Sequence, residues 1–510
     1  MKSSRDAHHN QKIAMRLREL FAGIHLHIAS AQPDEREING VAADSRQLKK
    51  NELFVAIQGT QRDGHDFIPE AVRSGVSAIV ASAAVFQTKH IKVPPPIPVL
   101  LVDDTHAVIG LLASRWYGNP SQNVHVIGVT GTNGKTTTTN LISTLLEPKG
   151  LCAVLGTVEY RIGDFAKPAE MTTPDPCKLQ EYFHDMLAKK AAYCAMEVSS
   201  HALVQERVRG VHFRSAVFTN LTQDHLDYHG DMESYFQAKA KLFSDFSSSK
   251  PSVINIDDVY GRRLMDLVKQ PATTYGFRSD AAIHAEKAEY GLEGSRIKLK
   301  TPKFDALILL PLLGEHNVYN FLAATAVALN EGVSQDDLLN QISKLKPPCG
   351  RLERIDCGQP FSVFVDYAHS PDAVERILRF LKSVTPGRLI AVFGCGGDRD
   401  RTKRPQMGRI AEEYSDVAIA TSDNPRSEDP SAIIQEIKSG FKRGIEKCTE
   451  IIDRKEAIAY ALSLARQNDV VAILGKGHEA VQIIGDRRIP FSDQNTVREI
   501  LKERSFVLNR

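Results

Sequence analysis

Apolar residues fall along this chain in short bursts, each followed by a polar or glycine-rich turn and then by a stretch with helical spacing. Val124, Val126, Ile127 and Val129 form one burst. Gly131 and Gly134 follow it, and Leu141, Ile142, Leu145 and Leu146 then recur at helical intervals. That order predicts a buried strand, a glycine loop and a helix. Towards the C-terminus the same grammar repeats four times, in the strands Phe361–Val365, Leu389–Phe393, Val417–Ala420 and Val470–Leu474, each running into a polar loop. Strands alternating with helices predict a parallel sheet with right-handed crossovers. Further strands are expected at Leu53–Ile57, Ala78–Ala81, Val99–Val102, from Tyr193 and at Ala216–Leu221. Helices are expected at Met15–Phe21, at Ile68–Ser74 and around Leu111, Leu112 and Trp116. The run Pro94–Pro98 reads as a surface connection.

The fold class is therefore α/β. A chain of 510 residues is too long for one core. Three domains are expected: residues 1–104, 105–345 with the glycine loop, and 346–510 with the four repeated strands. Loops at the carboxyl ends of parallel strands are where ligands bind. The C-terminal loops are Asp366–Asp372, Gly394–Arg401, Asp423–Arg426 and Gly475–Glu479, so one rim is expected to carry Arg399, Arg401, Lys403, Arg404 and Arg426. A basic rim suits carboxylates and phosphates.

Charge narrows the partners. Lys and Arg number 64 against 62 Asp and Glu, a net charge of +2, which argues against a nucleic-acid footprint. The seven cysteines are scattered without paired spacing and suit a reducing compartment. Residues 1–10 lack the apolar core of a signal peptide, and no run approaches the roughly 18 apolar residues of a membrane span. A cytoplasmic protein without a membrane span is expected, acting as a monomer on small molecules.

The glycine loop carries the first candidate chemistry. In Thr130-Gly-Thr-Asn-Gly-Lys-Thr-Thr137, backbone N–H groups and a helix N-terminus face a phosphate, Lys135 adds a cation and Thr136 offers a hydroxyl to Mg²⁺. Val129 stands where the general phosphate-loop pattern has its first glycine, so this is a variant loop. Glu197, at the end of an apolar strand, is a candidate to hold Mg²⁺ directly or through water. Asp224, His225, Asp227 and His229 form a cluster that could suit zinc, but with no cysteine nearby Mg²⁺ is favoured. Asp44-Ser-Arg46 reads either as a turn or helix cap or as a contact to a polar substrate. Asn317 and Asn320, three apart on a helix, could address one ligand. Lys239 on its own reads as a solvated lysine of an amphipathic helix.

Together these stretches resemble the Mur ligase family, ATP-dependent amino-acid ligases of peptidoglycan precursor synthesis. The carriers are Thr130–Thr137, Glu197–His201, Thr219–Thr222 with Asp224-His225, His316–Asn320 and Gly350–Arg354. Within the family, Asp44–Arg46, Asp224–His229, Asp366–Asp372, Asp423–Arg426 and Gly475–Glu479 resemble the members that add the third amino acid, and nearly the whole chain is covered in order. The folate polyglutamating relatives generally lack the N-terminal unit, and a non-enzymatic nucleotide switch leaves the four C-terminal loops unexplained.

The resemblance implies an N-terminal UDP-substrate domain, a central P-loop ATPase-like domain and a C-terminal Rossmann-like domain. It implies ATP and Mg²⁺, with UDP-N-acetylmuramoyl-L-alanyl-D-glutamate and meso-2,6-diaminopimelate joined through an acyl phosphate. ATP falls to Gly131, Thr132, Asn133, Gly134, Lys135, Thr136 and Thr137, with Asn317, Asn320, Arg351 and Asp366. The UDP-substrate falls to Ala43, Ser45, Thr60, Gln61, Arg62, Thr172, Thr173, Ser199, Gln205 and Arg207. Diaminopimelate falls to Arg399, Asp423, Asn424, Pro425, Arg426, Gly475 and Glu479. Lys135, Glu197, His225 and Lys239 are the implied catalytic residues. Thr136, Glu197, His225 and Lys239, the last carbamylated, would hold the metal.

Overall fold

The computed structural model describes residues 14–59, 62–246, 250–442 and 448–503. The chain divides into two compact units, residues 1–284 with 319–341 and residues 285–318 with 342–510.

Besides the short antiparallel pair Met15–Arg16 with Glu37–Ile38, the first unit holds a four-stranded sheet and strands of a longer one. Val41–Ala42, Leu53–Val55, Ala78–Ser82 and Val99–Val102 lie side by side, parallel and in chain order. Leu53, Val55, Val80 and Leu100 pack with Leu17, Leu20, Leu112 and Trp116, while Phe54, Ile79 and Leu101 pack with Ile68 and Ala71. Burial on both faces is why these strands read as continuous apolar runs rather than alternating ones.

In the second sheet the loop strand His125–Thr130 sits between Tyr193–Glu197 and Phe213–Phe218, parallel to both. Glu197 pairs with Val129 and Phe218 with Thr130, so the carboxyl ends of all three strands are level. That register brings Glu197 and the residues after Phe218 to the glycine loop. The helix Lys135–Leu145 follows, with Leu141, Ile142 and Leu145 buried. Cys152–Leu155 extends the sheet on one side, and Ser252–Asn255 and Ala272–Gly276 on the other.

The second unit is built on a six-stranded sheet in the order Glu353–Arg354, Ser362–Asp366, Val470–Leu474, Leu389–Phe393, Val417–Ala420, Cys448–Glu450. All but the first strand run parallel. The last of the four expected strands is thus inserted between the first two, and the loops after Asp366, Phe393 and Leu474 meet at its carboxyl end. Apolar side chains fill both faces, Phe364, Leu378, Phe393 and Ile434 on one and Val365, Val392, Ile458 and Ile473 on the other.

Some expectations change. Met15–Phe21 is a strand, Met15–Arg16, followed by a single turn of helix, Leu17–Leu20. Among the described residues antiparallel hairpins form that were not expected: Glu159–Ile162 with Phe165–Pro168, Gly294–Lys300 with Asp305–Leu310, and Val481–Ile484 with Arg487–Pro490. Arg404 does not belong to a solvated rim. It is fully buried on the helix Lys403–Tyr414 and paired with Glu428 and Glu436.

Candidate active site

The glycine loop is held from outside itself. Thr219 Oγ1 donates to Asn133 O at 2.7 Å, Asn220 Oδ1 accepts from Asn133 N at 2.9 Å, and Thr222 N donates to Thr132 Oγ1 at 3.0 Å. Gly131 and Gly134 have φ of 149° and 87°, backbone that glycine adopts without strain. The loop is therefore shaped before any ligand arrives. Lys135 Nζ donates to Gly131 O and Thr132 O, both at 2.8 Å, folding back over the loop it would use to hold a phosphate.

A second lysine reaches the same place. Lys239, on the helix Met232–Ser244, is buried among Tyr235, Phe236, Leu242 and Phe243, and its Nζ donates to Gly131 O at 2.9 Å. The solvated reading of this lysine is therefore wrong. Burial, with the Lys135 ammonium nearby, holds the Lys239 amine well below the usual lysine range, against the opposing pull of Asp224. Its Nζ lies 4.5 Å from the Tyr235 ring centroid, and the Tyr235 hydroxyl is 3.2 Å from Thr132 Oγ1.

From Tyr235 an aromatic cluster runs through His229 (4.9 Å between ring centroids) to His201 (5.5 Å). His225 stands 5.0 Å from His201, half exposed and 3.5 Å from Asp224. Burial, reinforced by His225 and His229, pushes the His201 imidazole down to about 4. Glu197 is buried. Its Oε1 accepts from Thr157 N at 2.8 Å and its Oε2 from Thr157 Oγ1 at 3.0 Å. Thr136 is buried at the helix start, and the buried Thr130 Oγ1 has no hydrogen-bond partner among the described residues.

No three His, Cys, Asp or Glu side chains come together as a metal site among the described residues, so the Asp224–His229 cluster is not a zinc centre as it stands. A hydroxyl, a carboxylate, one imidazole and an orphaned hydroxyl next to the loop instead suit a hard divalent cation held partly through water.

The expected UDP-substrate residues divide. Thr172, Thr173, Ser199, Gln205 and Arg207 form one network. Thr157 Oγ1 meets Thr172 Oγ1 at 3.1 Å, Thr173 Oγ1 donates to Glu197 O at 2.9 Å, and Ser199 N donates to Thr173 Oγ1 at 3.1 Å. Arg207 donates to Thr173 O at 3.1 Å and to Gln205 Oε1 at 2.7 Å, and Gln205 reaches the Tyr228 hydroxyl at 3.3 Å. Asp44 is a cap: its carboxylate takes Arg46 N at 3.0 Å and the Arg46 side chain at 2.7 Å. Ser45 Oγ donates to Glu70 at 3.1 Å, Ala43 packs on the sheet core and Arg62 is exposed. Thr60 and Gln61 lie outside the described residues. Thr157, Tyr228 and Tyr235, which link these groups, were not singled out in the sequence; their hydroxyl and aromatic types carry no spacing signal.

Asn317 and Asn320 share the helix Glu315–Asn330 but turn to different partners. Asn317 Nδ2 donates to Leu313 O at 2.9 Å, and Asn320 Oδ1 accepts from Thr138 Oγ1 at 3.3 Å beside the glycine loop.

In the second unit Asp366 is buried, with Leu352 N at 2.6 Å and Ala368 N at 2.7 Å on its carboxylate, and Arg351 lies over the Tyr367 ring at 4.9 Å. Burial pushes the Asp366 carboxyl up, opposed by Arg351. Arg426 has φ of 50°, and its Nη1 donates to Gly397 O at 2.7 Å. It does not pair with Glu428 or Asp429, which are occupied by Arg404 and by capping the helix Pro430–Lys438. Asp423, Asn424 and Pro425 are buried on the same loop; on the neighbouring one Gly475 is buried and Glu479 half-buried, and Arg399 is exposed.

The family model described as Mur ligase middle domain matches residues 129–328. The Mur ligase, glutamate ligase domain matches 350–477, and the Mur ligase family, catalytic domain matches 37–117. Over 493 residues the chain is 41% identical to the UDP-N-acetylmuramoyl-L-alanyl-D-glutamate–2,6-diaminopimelate ligase of Syntrophomonas wolfei, with 96% of this chain and 99% of the relative covered. A solved structure of a ligase of that same name is 32% identical, with a TM-score of 0.71 over 96% of this chain and 99% of its own. MurF ligase from Thermotoga maritima, solved in complex with ADP, shares the fold at 18% identity and a TM-score of 0.58, covering 91% and 96% of the two chains. From its N-terminal sheet to its C-terminal one, this chain belongs to the Mur ligase family and has that family's three-domain α/β architecture.

Proposed function

We propose that this chain is an ATP-dependent ligase that joins meso-2,6-diaminopimelate to UDP-N-acetylmuramoyl-L-alanyl-D-glutamate, releasing ADP and phosphate, in peptidoglycan precursor synthesis. Identity to diaminopimelate ligases over nearly the full length carries the reading. The domains meet near residues 104 and 345, and the chain works as a cytoplasmic monomer. Among the described residues no helix is long and apolar enough to cross a membrane.

A carboxylate is a poor electrophile, so the glutamate carboxylate first attacks the γ-phosphate of ATP to give an acyl phosphate. The amine of diaminopimelate then adds to that carbonyl, and phosphate leaves from the tetrahedral intermediate. The residues position groups and neutralise charge. Gly131–Thr137 hold the phosphates with backbone N–H groups, and Lys135 supplies the cation. Asn317, Asn320, Arg351 and Asp366 hold the adenosine side. Mg²⁺ near Thr136, Glu197 and His225 would supply charge neutralisation at the phosphates. Burial lowers the Lys239 amine and so favours its neutral form, which adds CO₂ through its nitrogen and loses a proton, and the resulting carbamate gives an anion where a lysine stood. Ala43, Ser45, Thr60–Arg62, Thr172, Thr173, Ser199, Gln205 and Arg207 bind the UDP-substrate.

Diaminopimelate differs from lysine by one extra carboxylate at the far end. Arg426, on a loop stiffened by Pro425, offers a fork of donors for it, and Arg399, Asp423, Asn424, Gly475 and Glu479 complete that pocket. Lysine leaves this half-buried guanidinium without its carboxylate, and losing a charge-assisted hydrogen bond of about 1.5–3 kcal/mol favours diaminopimelate by about tenfold or more. The test is phosphate release with ATP, the UDP-muramoyl dipeptide and a panel of amines. Strong preference for meso-diaminopimelate is expected, largely abolished in Arg426→Ala; equal turnover of L-lysine by the unmodified enzyme refutes the reading.

A further inference from the structure

One cation in the second unit has no part in the chemistry above, yet it grips two of the loops just named. Lys476 lies between Gly475 (φ 116°) and Gly477 (φ 52°). A Cβ on Gly475 would stand 2.5 Å from Asp423 Oδ2, and one on Gly477 would stand 2.6 Å from Tyr367 Cβ. Two glycines in these conformations turn the chain so that the lysine between them points into the protein, where it is fully buried.

Each of the three ammonium donors has an acceptor. Lys476 Nζ is 3.0 Å from Asn424 Oδ1, 3.0 Å from Glu479 Oε2 and 2.7 Å from Val481 O. The triangle closes on itself, because Asn424 Nδ2 donates to the same Glu479 Oε2 at 2.8 Å. Asn424 Oδ1 also accepts from Ile483 N at 3.0 Å, so the Asn424 amide has a fixed sense: oxygen towards Lys476, nitrogen towards Glu479. Glu479 takes both bonds on one oxygen, which turns the carboxylate and leaves Oε1 for a ligand. A buried ammonium is costly unless every donor is satisfied. The arrangement therefore has one low-energy geometry, and it ties the strand-end loop Asp423–Arg426 to the loop Gly475–Glu479.

We propose that Lys476 is a positioning residue that sets selectivity for the incoming amino acid, by locking Asn424 and Glu479 in one mutual orientation. The proposal rests on the reading that these two residues contact the diamino acid. A cation cannot itself attract the far ammonium of diaminopimelate; its effect reaches the ligand through the direction it gives the carboxylate and the amide. The loss should therefore fall on one substrate of three.

The experiment measures steady-state kinetics of full-length Lys476→Met with each substrate varied in turn. The KM for meso-diaminopimelate is expected to rise at least tenfold, with the KM values for ATP and the UDP-muramoyl dipeptide within twofold of the unmodified enzyme. The preference for diaminopimelate over L-lysine should narrow. In an Asn424→Ala background the same substitution should have much less effect, since one of the two groups it orients is gone. Lys476→Gln, which keeps a donor, should fall between, and it serves for all these measurements if Lys476→Met does not fold. A folded variant with an unchanged KM for diaminopimelate, an equal rise for all three substrates, or full additivity with Asn424→Ala overturns the proposal. Failure of the underlying reading looks different: the unmodified enzyme would release no phosphate in response to diaminopimelate.

Discussion

Lys135 and Lys239 bring two side-chain nitrogens onto one backbone oxygen, Gly131 O, at 2.8 and 2.9 Å. Two cations there suit a site awaiting a triphosphate, but only one can remain a cation at low cost once the second is buried. Lys239 is the buried one, and its neutral amine is the form that can take up CO₂. Lys239→Ala is expected to lower kcat by about 10²–10³-fold, as removal of one preorganised electrostatic group does, with partial rescue by acetate or formate. Lys241→Ala should turn over normally, because Lys241 is a surface partner of Glu206 at 3.1 Å. An inactive Lys241→Ala beside an active Lys239→Ala would show the wrong lysine had been chosen. The lysine type suggested solvent and misled the reading of Lys239, although its place four residues from both Tyr235 and Phe243 puts it on the buried face of the helix. Its contact with Gly131 was not legible, since 108 residues separate the two.

At the scale of elements, the helix Lys403–Tyr414 shows how a charge run misleads. Arg399, Arg401, Lys403 and Arg404 read as one basic stretch, yet Arg404 is in helical register with the buried Met407, Gly408 and Ala411. The 3.6-residue period, not the charge, decided its fate. Its guanidinium grips Glu428 through two bonds, at 2.8 and 2.9 Å, and Glu436 at 2.8 Å, tying this helix to the segment just before the helix Pro430–Lys438 and to that helix's last turn. Arg404 draws the Glu428 carboxyl down to about 2. Arg404→Ala would leave both carboxylates facing an empty buried site, a loss of about 3–5 kcal/mol. Arg401→Ala removes only an exposed partner of Glu436 and should change stability little. Urea unfolding of the two variants should separate them by that margin, and equal losses would mean that Arg404 contributes no more than a surface pair. The hairpin Glu159–Ile162 with Phe165–Pro168 was missed for a related reason: its second strand is mostly exposed and has no apolar alternation to read.

Over the whole molecule, the parallel sheets and the loops at their carboxyl ends were legible because each strand is an apolar run ending in polar residues. The insertion of Val470–Leu474 between Ser362–Asp366 and Leu389–Phe393 was not, because strand order depends on contacts between distant segments. The same burial that builds these cores leaves a pH signature. His201, His316 and His478, in different parts of the fold, are pushed down by burial from 6.5 to about 4. Above pH 6.5 folded and unfolded chains both hold these imidazoles neutral, and they cost nothing. Between pH 6.5 and about 4 the unfolded chain binds protons that the folded chain refuses, so stability must fall as pH falls through that window and level off below it. Glu428 works in a lower range, losing its contribution only as pH drops from 4.5 towards 2. Buried carboxyls that are pushed up, such as Asp366, gain stability as pH falls and oppose the histidines at the lower end of this window, so the histidine substitutions are the readout that isolates their share. Thermal unfolding at pH 5 should occur at a lower temperature than at pH 7, and the difference should shrink when His316→Gln and His478→Gln are combined. Equal melting temperatures at the two pH values, or an undiminished difference in the double variant, would mean that these imidazoles accept protons in the folded protein as readily as in the unfolded chain.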